Sequence, residues 1–381
     1  GAVLFVVKTR GVSESLRNRC SKLFPVVMYL SQALVSEGYC LLLDFMRVGY
    51  YPSTNRVTNS REGCRFPELQ RSRVNCLSQN EARTMTGFSL DQLQELLIHL
   101  RIPGQVRDEV SERWYVGEEA FLHYLVYNRL GLTKLQLSLH YFGGDPRRFS
   151  YSIRAIGSYL YNTFYHKISG DSLRQWMPYI HEFRQCLWGK VTGGGTIETS
   201  PGQVNQSSQF VTIDIPCDTF RIFGFLDDTG FRTTAPGIGA RRRLGFLEDI
   251  QRAFYSGYFS AHGIKVQVVT LPNGMIGSIF IGSLRVSDSG LLNMSNLNSY
   301  LFDLFQELDI TLPGESDMLP VLYGDGIFPV LQTILPRYSN PNVDESRINT
   351  RLSSIRQSIE HIFALHSNIF ELFNQPKKIK L

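Results

Sequence analysis

The stretch GIKVQVVTLPNGMIGSIFIGSL, residues 263–284, constrains the fold more than any other. Two apolar, β-branched runs meet at Pro272-Asn273-Gly274, a tight-turn sequence, so two consecutive antiparallel strands are expected there. Two further runs of the same character flank this pair. FRIFGFLDDTG, residues 220–230, lies upstream, and MLPVLYGDGIFP, residues 318–329, lies downstream. A helical pattern, ESRINTRLSSIRQSIEHIFALHSNIF, closes the chain, with Ile355, Ile359, Ile362 and Phe363 spaced to form one apolar stripe. Strands followed by a strand and a helix are consistent with a mixed sheet flanked by helices.

Acidic residues punctuate these elements. Asp227 closes the first apolar run, Asp325 closes the last, and Glu360 sits inside the helix. Carboxylates held on separate rigid elements are what a metal-dependent phosphoryl-transfer enzyme needs, because Mg²⁺ prefers hard oxygen donors and a two-metal site must be clamped from several directions.

Four segments within residues 223–363, namely FGFLDDTGFRTTAPG, AFYSGYFSAHGIKVQVVTLPNGMIGSIFIGSLRVSDSGLLNMSNL, VLYGDGIFP and INTRLSSIRQSIEHIF, resemble in order the successive blocks of PIF/Harbinger-type DDE transposases. The resemblance implies an α/β protein with an RNase H-like catalytic domain, preceded by an all-α helix-turn-helix domain. It implies Asp227, Asp325 and Glu360 as the catalytic metal ligands, with two Mg²⁺ ions for which Mn²⁺ can substitute. The implied reaction is DNA cleavage at transposon ends followed by strand transfer. A separate Myb/SANT-like DNA-binding partner is implied too, and a homo-oligomer is compatible with it. The alternative readings are a domesticated, non-catalytic DNA-binding or adaptor protein that keeps the fold, and an unrelated α/β protein whose acids never meet.

Asp228 follows Asp227 directly, and neighbours on a strand point to opposite faces, so regular geometry lets only one of them line the site. The family register favours Asp227. Asp288, in RVSDSGLL, matches a recurrent acid of the family, although Leu284 stands where that block usually has Gly; it is expected to cap the following helix or to support the site. Arg356 precedes Glu360 by one helical turn and is a candidate to hold it or a nearby phosphate. His262 and Lys265 also match family positions, with a structural role as the competing reading.

Upstream, residues 85–188 read as helical. FSLDQLQELLIHL is an amphipathic helix with Ser89 or Thr86 as its N-cap. EEAFLHYLVYNRLG, TKLQLSLHYFGG and PRRFSYSIRAIGSYLYNTFYHKI follow, the last two separated by Gly143, Gly144 and Pro146 in helix-turn-helix style. Arg147, Arg148 and Arg154 then stand where a recognition helix would meet DNA, with a plain bundle as the competing reading. Residues 189–209 read as a Gly/Ser/Thr-rich linker, and 210–381 as the catalytic domain. Arg241, Arg242 and Arg243 follow the first acidic strand and are candidate DNA contacts.

Residues 1–84 read as a partly ordered arm. The uncharged run Leu23–Ser36 is too short to span a bilayer, so no membrane association is expected. Because the chain opens on Gly1, its true start is expected to lie upstream. The six cysteines form no CxxC pair or Cys/His ligand spacing, which argues against a zinc site or a disulfide framework. With 43% hydrophobic residues a folded core is expected, and the net charge of +5 is compatible with a polyanionic partner. Lys377-Lys378-Ile379-Lys380 fits a short nuclear-import signal, so a nuclear location is expected.

Overall fold

The computed structural model describes residues 77–142, 145–192, 221–235, 247–311 and 318–374. Capping residues set the first helices. Ser78 opens α1 (Gln79–Thr86) and Ser89 opens α2 (Leu90–His99), each in a capping box whose serine hydroxyl accepts from the third residue while that residue's side chain returns to the cap N–H. α1 begins inside the stretch expected as an arm.

A two-stranded hairpin that the sequence does not announce, β1 (Gln105–Arg107) and β2 (Trp114–Val116), comes next. It leads into α3 (Gly117–Leu130), which is buried along most of its length. The expected TKLQLSLHYFGG helix is one α-turn, α4 (Lys134–Leu137), continued by a π-helical turn over Ser138–Phe142. Asp145 then caps α5 (Pro146–Phe164), with Pro146 at the first helical position, where its missing N–H costs nothing. A 3₁₀ segment over Gly170–Tyr179 and α6 (Ile180–Thr192) complete the helical part; α6 runs into the stretch expected as linker.

The second half is a six-stranded mixed sheet. β3 (Ile222–Thr233) is central; on one side it pairs antiparallel with β5 (Ala261–Thr270), which pairs antiparallel with β6 (Ile276–Ser283). On the other side β3 is parallel to β7 (Val321–Gly324), and β7 is parallel to β8 (Ile334–Pro336). The short β4 (Tyr255–Ser256) adds to the edge of β5. It follows α7 (Leu247–Phe254), whose chain turns directly into that strand. The expected hairpin joins β5 to β6: Gly274 adopts φ 80°, a left-handed value glycine takes freely, and its N–H donates to the Leu271 carbonyl. α8 (Asp288–Ser295) and α9 (Leu297–Glu307) lie between β6 and β7, and α10 (Val343–Ile369) ends the fold. This curled mixed sheet flanked by helices is compatible with an RNase H-like domain.

A bulge in β3 between Ile222 and Gly224 decides which faces its side chains take. Phe223 and Leu226 pack with α9 residues such as Leu301 and Phe305, whereas Ile222 and Phe225 pack with Tyr323, Leu335, Ile348 and Leu352 toward α10. A third core joins the helical part to the sheet, because Phe121, Leu125 and Ile156 share one cluster with Val266, Val268 and Phe370. Arg129 reaches across the same junction and donates to the Asn368 carbonyl at the end of α10, 3.1 Å away.

Candidate active site

The sheet register brings the acids to one edge. Phe225, Tyr323 and Leu335 are neighbours across β3, β7 and β8, and all three pack toward α10. Side chains repeat every second residue on a strand, so the next positions on that face are Asp227, midway along β3, and Asp325 and Arg337, each one residue past the C-terminal end of β7 and β8, in parallel strands about 4.8 Å apart. Beyond the paired residues the two segments stay in contact, since a Cβ built on Gly326, which follows Asp325, would lie 3.9 Å from Arg337 Cβ.

α10 adds the third acid. Arg356 Nη1 donates to Asp227 Oδ2 at 2.7 Å, and its Nη2 reaches Glu360 Oε1 at 3.4 Å, so one guanidinium joins a strand carboxylate to a helix carboxylate. The other Asp227 oxygen, Oδ1, accepts from the Asp228 N–H at 3.0 Å. Burial pushes the Asp227 pKa up to about 6; Arg356 and the Asp228 N–H oppose that rise, and repulsion from Asp325 and Glu360 adds to it. Both of those acids are therefore within electrostatic reach of Asp227.

Asp325 heads a turn. Its Oδ1 accepts from Gly326 N at 2.6 Å, its carbonyl accepts from Phe328 N, and Ser289 of α8 donates to the Ile327 carbonyl. Gly324 is required just before it, since a Cβ there would meet Phe328 Cδ2 at 2.6 Å.

Asp228 points to the opposite face, where it lies across from Gln267 on β5. Among the described residues neither of its carboxylate oxygens has a hydrogen-bond partner. Burial drives its pKa up to about 8; Asp288 and Asp227 raise it further, while Gln267 and Lys265 hold it back. Asp288 is ion-paired with the nearly buried Lys265. It does not cap α8 as expected, because Ser287, one residue earlier, accepts from Gly290 N and does so. Lys265 faces this acid and not solvent, and His262 lies edge-on to Tyr255, their ring centroids 5.1 Å apart.

The chemistry of the donor set suits a hard divalent cation, since all three are carboxylates on separate elements. The side chains as they stand do not gather into a cage. Asp227 spends both oxygens on Arg356 and a backbone N–H, and among the described residues no group of three or more His, Cys, Asp or Glu side chains is disposed to hold a metal ion.

Residues 231–381 match the family model described as DDE superfamily endonuclease. The endonuclease match takes in Asp325, Arg337, Arg356 and Glu360 and begins just after Asp227 on the same strand. It supports a DDE transposase-like nuclease and implies DNA as the substrate. No curated protein and no solved structure matches the chain.

The basic residues expected to meet DNA fall into three groups. Arg154 is committed elsewhere: its Nε and Nη2 each donate at 2.6 Å to Asp108, whose side chain is 1% exposed, so the arginine closes a structural pair and does not face a groove. Burial of Asp108 alone would raise its pKa, but the hydrogen bonds from Arg154 and Ser111 leave it lowered. Ser152 on the same helix is buried against His123 Nδ1. Arg147 and Arg148 at the start of α5 are exposed, Arg148 lying 3.9 Å from Glu119. Arg241, Arg242 and Arg243 lie outside the described residues, as do Lys377, Lys378 and Lys380. Among the described residues no helix is long and apolar enough to cross a membrane.

Sequence reasoning missed Arg337 and Tyr323. Tyr323 is fully buried, its hydroxyl has no hydrogen-bond partner among the described residues, and burial pushes its pKa up to about 12 against the pull of Arg337 and Arg356. The signal for both was the pairing register of β3, β7 and β8, which spacing within one run does not contain.

Proposed function

We propose that the chain is a Harbinger-type DDE transposase or transposase-derived endonuclease that hydrolyses phosphodiester bonds at the ends of a DNA element and then joins the freed 3′-OH to target DNA. The observation that carries this reading is the meeting of Asp227 and Glu360, more than a hundred residues apart in sequence, on one guanidinium, with Asp325 within electrostatic reach of Asp227. Asp227, Asp325 and Glu360 would hold two Mg²⁺ or Mn²⁺ ions, which when bound lower the pKa of an attacking water and stabilise the leaving 3′ oxygen.

The chain's own residues do the rest. Arg356 offsets the mutual repulsion of Asp227 and Glu360, so the acids can stay close without a counter-ion. Tyr323, Phe225 and Leu335 give the acidic row a rigid apolar floor. Asp288 and Lys265, on the far face, hold α8 against β5, and Ser289 of α8 in turn holds the turn that follows Asp325. With no Ser, Cys or Tyr nucleophile in the set, the reading requires no covalent protein–DNA intermediate.

A nuclear location through Lys377–Lys380, a Myb/SANT-like partner and end-binding by Arg147, Arg148 and Arg241–Arg243 are further parts of this proposal, supported by sequence alone. The test is cleavage of duplex DNA in Mg²⁺ or Mn²⁺. Asp325→Asn, at a turn position where the isosteric amide fits, is expected to lower the rate by at least about a thousand-fold. Cleavage that survives this change sinks the reading.

A further inference from the structure

We propose that Arg337 grips the DNA backbone beside the acidic row, as the phosphate-binding residue of this site. The inference rests on the nuclease reading above. Three carboxylates at one sheet edge repel a polyanion, and a cation has to stand next to them for DNA to approach. Arg356, beside that edge, is committed to Asp227 and Glu360. Arg337 is exposed and makes no hydrogen bond or ion pair among the described residues.

Its place is fixed by the sheet. Gly324 pairs with Pro336, so Arg337 follows β8 as Asp325 follows β7, and the two begin their loops side by side. Tyr323, one row beneath, is within electrostatic reach of both Asp325 and Arg337. A guanidinium there presents a planar fork of N–H donors, the geometry that takes a phosphate through two parallel hydrogen bonds. Leu335, the preceding residue on that face, is packed in the core and anchors the strand end from which Arg337 projects.

The experiment compares the full chain with Arg337→Gln and Arg337→Lys, using a labelled DNA duplex for binding across a salt series and Mn²⁺-dependent cleavage for kinetics. Arg337→Gln is expected to weaken binding about ten-fold and to lower the log–log salt slope by about one, the share of one lost phosphate contact. KM should rise with kcat changed less than about three-fold, because a contact made equally in ground and transition states acts on binding. Arg337→Lys should restore the salt slope, since the charge returns, while recovering the affinity only in part. Thermal stability of both variants should match the wild type, as Arg337 is exposed and makes no hydrogen bond or ion pair among the described residues. Equal affinity, KM and salt slope in Arg337→Gln, with a wild type that binds and cleaves, overturn the inference and leave the nuclease reading standing. A wild type that binds but does not cleave refutes the nuclease reading, and the salt slope still judges Arg337. A wild type that binds no DNA removes both.

Discussion

Asp228→Asn makes the electrostatics of the sheet measurable. Its carboxyl, ordinarily near 3.8, titrates at about 8 in the folded protein, driven first by burial and then by the charge of Asp288. The sign follows from proton counting. Between pH 4 and 8 the folded state holds a proton that the unfolded state has released, so stability falls as pH rises through that window. The penalty is absent below about pH 4 and complete above about pH 8. A displacement of about four units at about 1.4 kcal/mol each sets an upper bound near 6 kcal/mol, and relaxation around Lys265 and Gln267 brings the expected value to roughly 2–4 kcal/mol. Asparagine has nearly the same shape and no charge. It carries a fixed cost of about 1–3 kcal/mol for an unpaired amide in the same spot, but that cost does not change with pH. The difference between the variant's relative stability at pH 9 and at pH 5 therefore isolates the charge. Urea unfolding in chelator at both pH values should show Asp228→Asn gaining about 2–4 kcal/mol on the wild type over that interval. A relative stability that stays flat from pH 5 to pH 9 would refute the burial and charge reasoning.

Two further changes probe the arginines, beside the Asp325 and Arg337 variants above. Arg154→Ala leaves the buried Asp108 carboxylate without its two strongest donors and should cost about 3–5 kcal/mol in denaturant unfolding, while DNA affinity measured on the fraction that remains folded is unchanged. Arg356→Gln removes the cation that holds Asp227 down, so the Asp227 pKa should rise further above its present value near 6, seen by NMR titration of the carboxyl carbon. The same change should destabilise the fold by about 1–3 kcal/mol, less than for a fully buried pair because Glu360 is half exposed.

Much of this architecture was legible in the chain. The Pro-Asn-Gly turn, the β-branched runs around it and the long helix carrying Glu360 are local signals, and each element forms where its residues indicate. The capping box at Ser89 was readable for the same reason, since its partners are three residues apart. What stayed hidden depended on pairing at a distance. The bond from Arg154 to Asp108 spans forty-six positions and turns a candidate DNA contact into a core pair. The step from Arg356 to Asp227 spans 129 positions, where sequence spacing offered Arg356 only its helical neighbour Glu360. The short hairpin β1–β2 escaped because its strands are three residues each, with one buried side chain apiece.

The cluster that ties Phe370 and the Asn368 carbonyl to α3 has a bearing on how this protein can be dissected. Glu360 rides on a helix whose far end is moored to elements more than two hundred residues upstream. Trimming the chain to its sheet-bearing part would cut that mooring, bare the valines of β5 to water, and leave the last acid on an unsupported rod. The amino-terminal helices thus serve as the buttress that keeps the acidic corner in alignment, whatever else they contact.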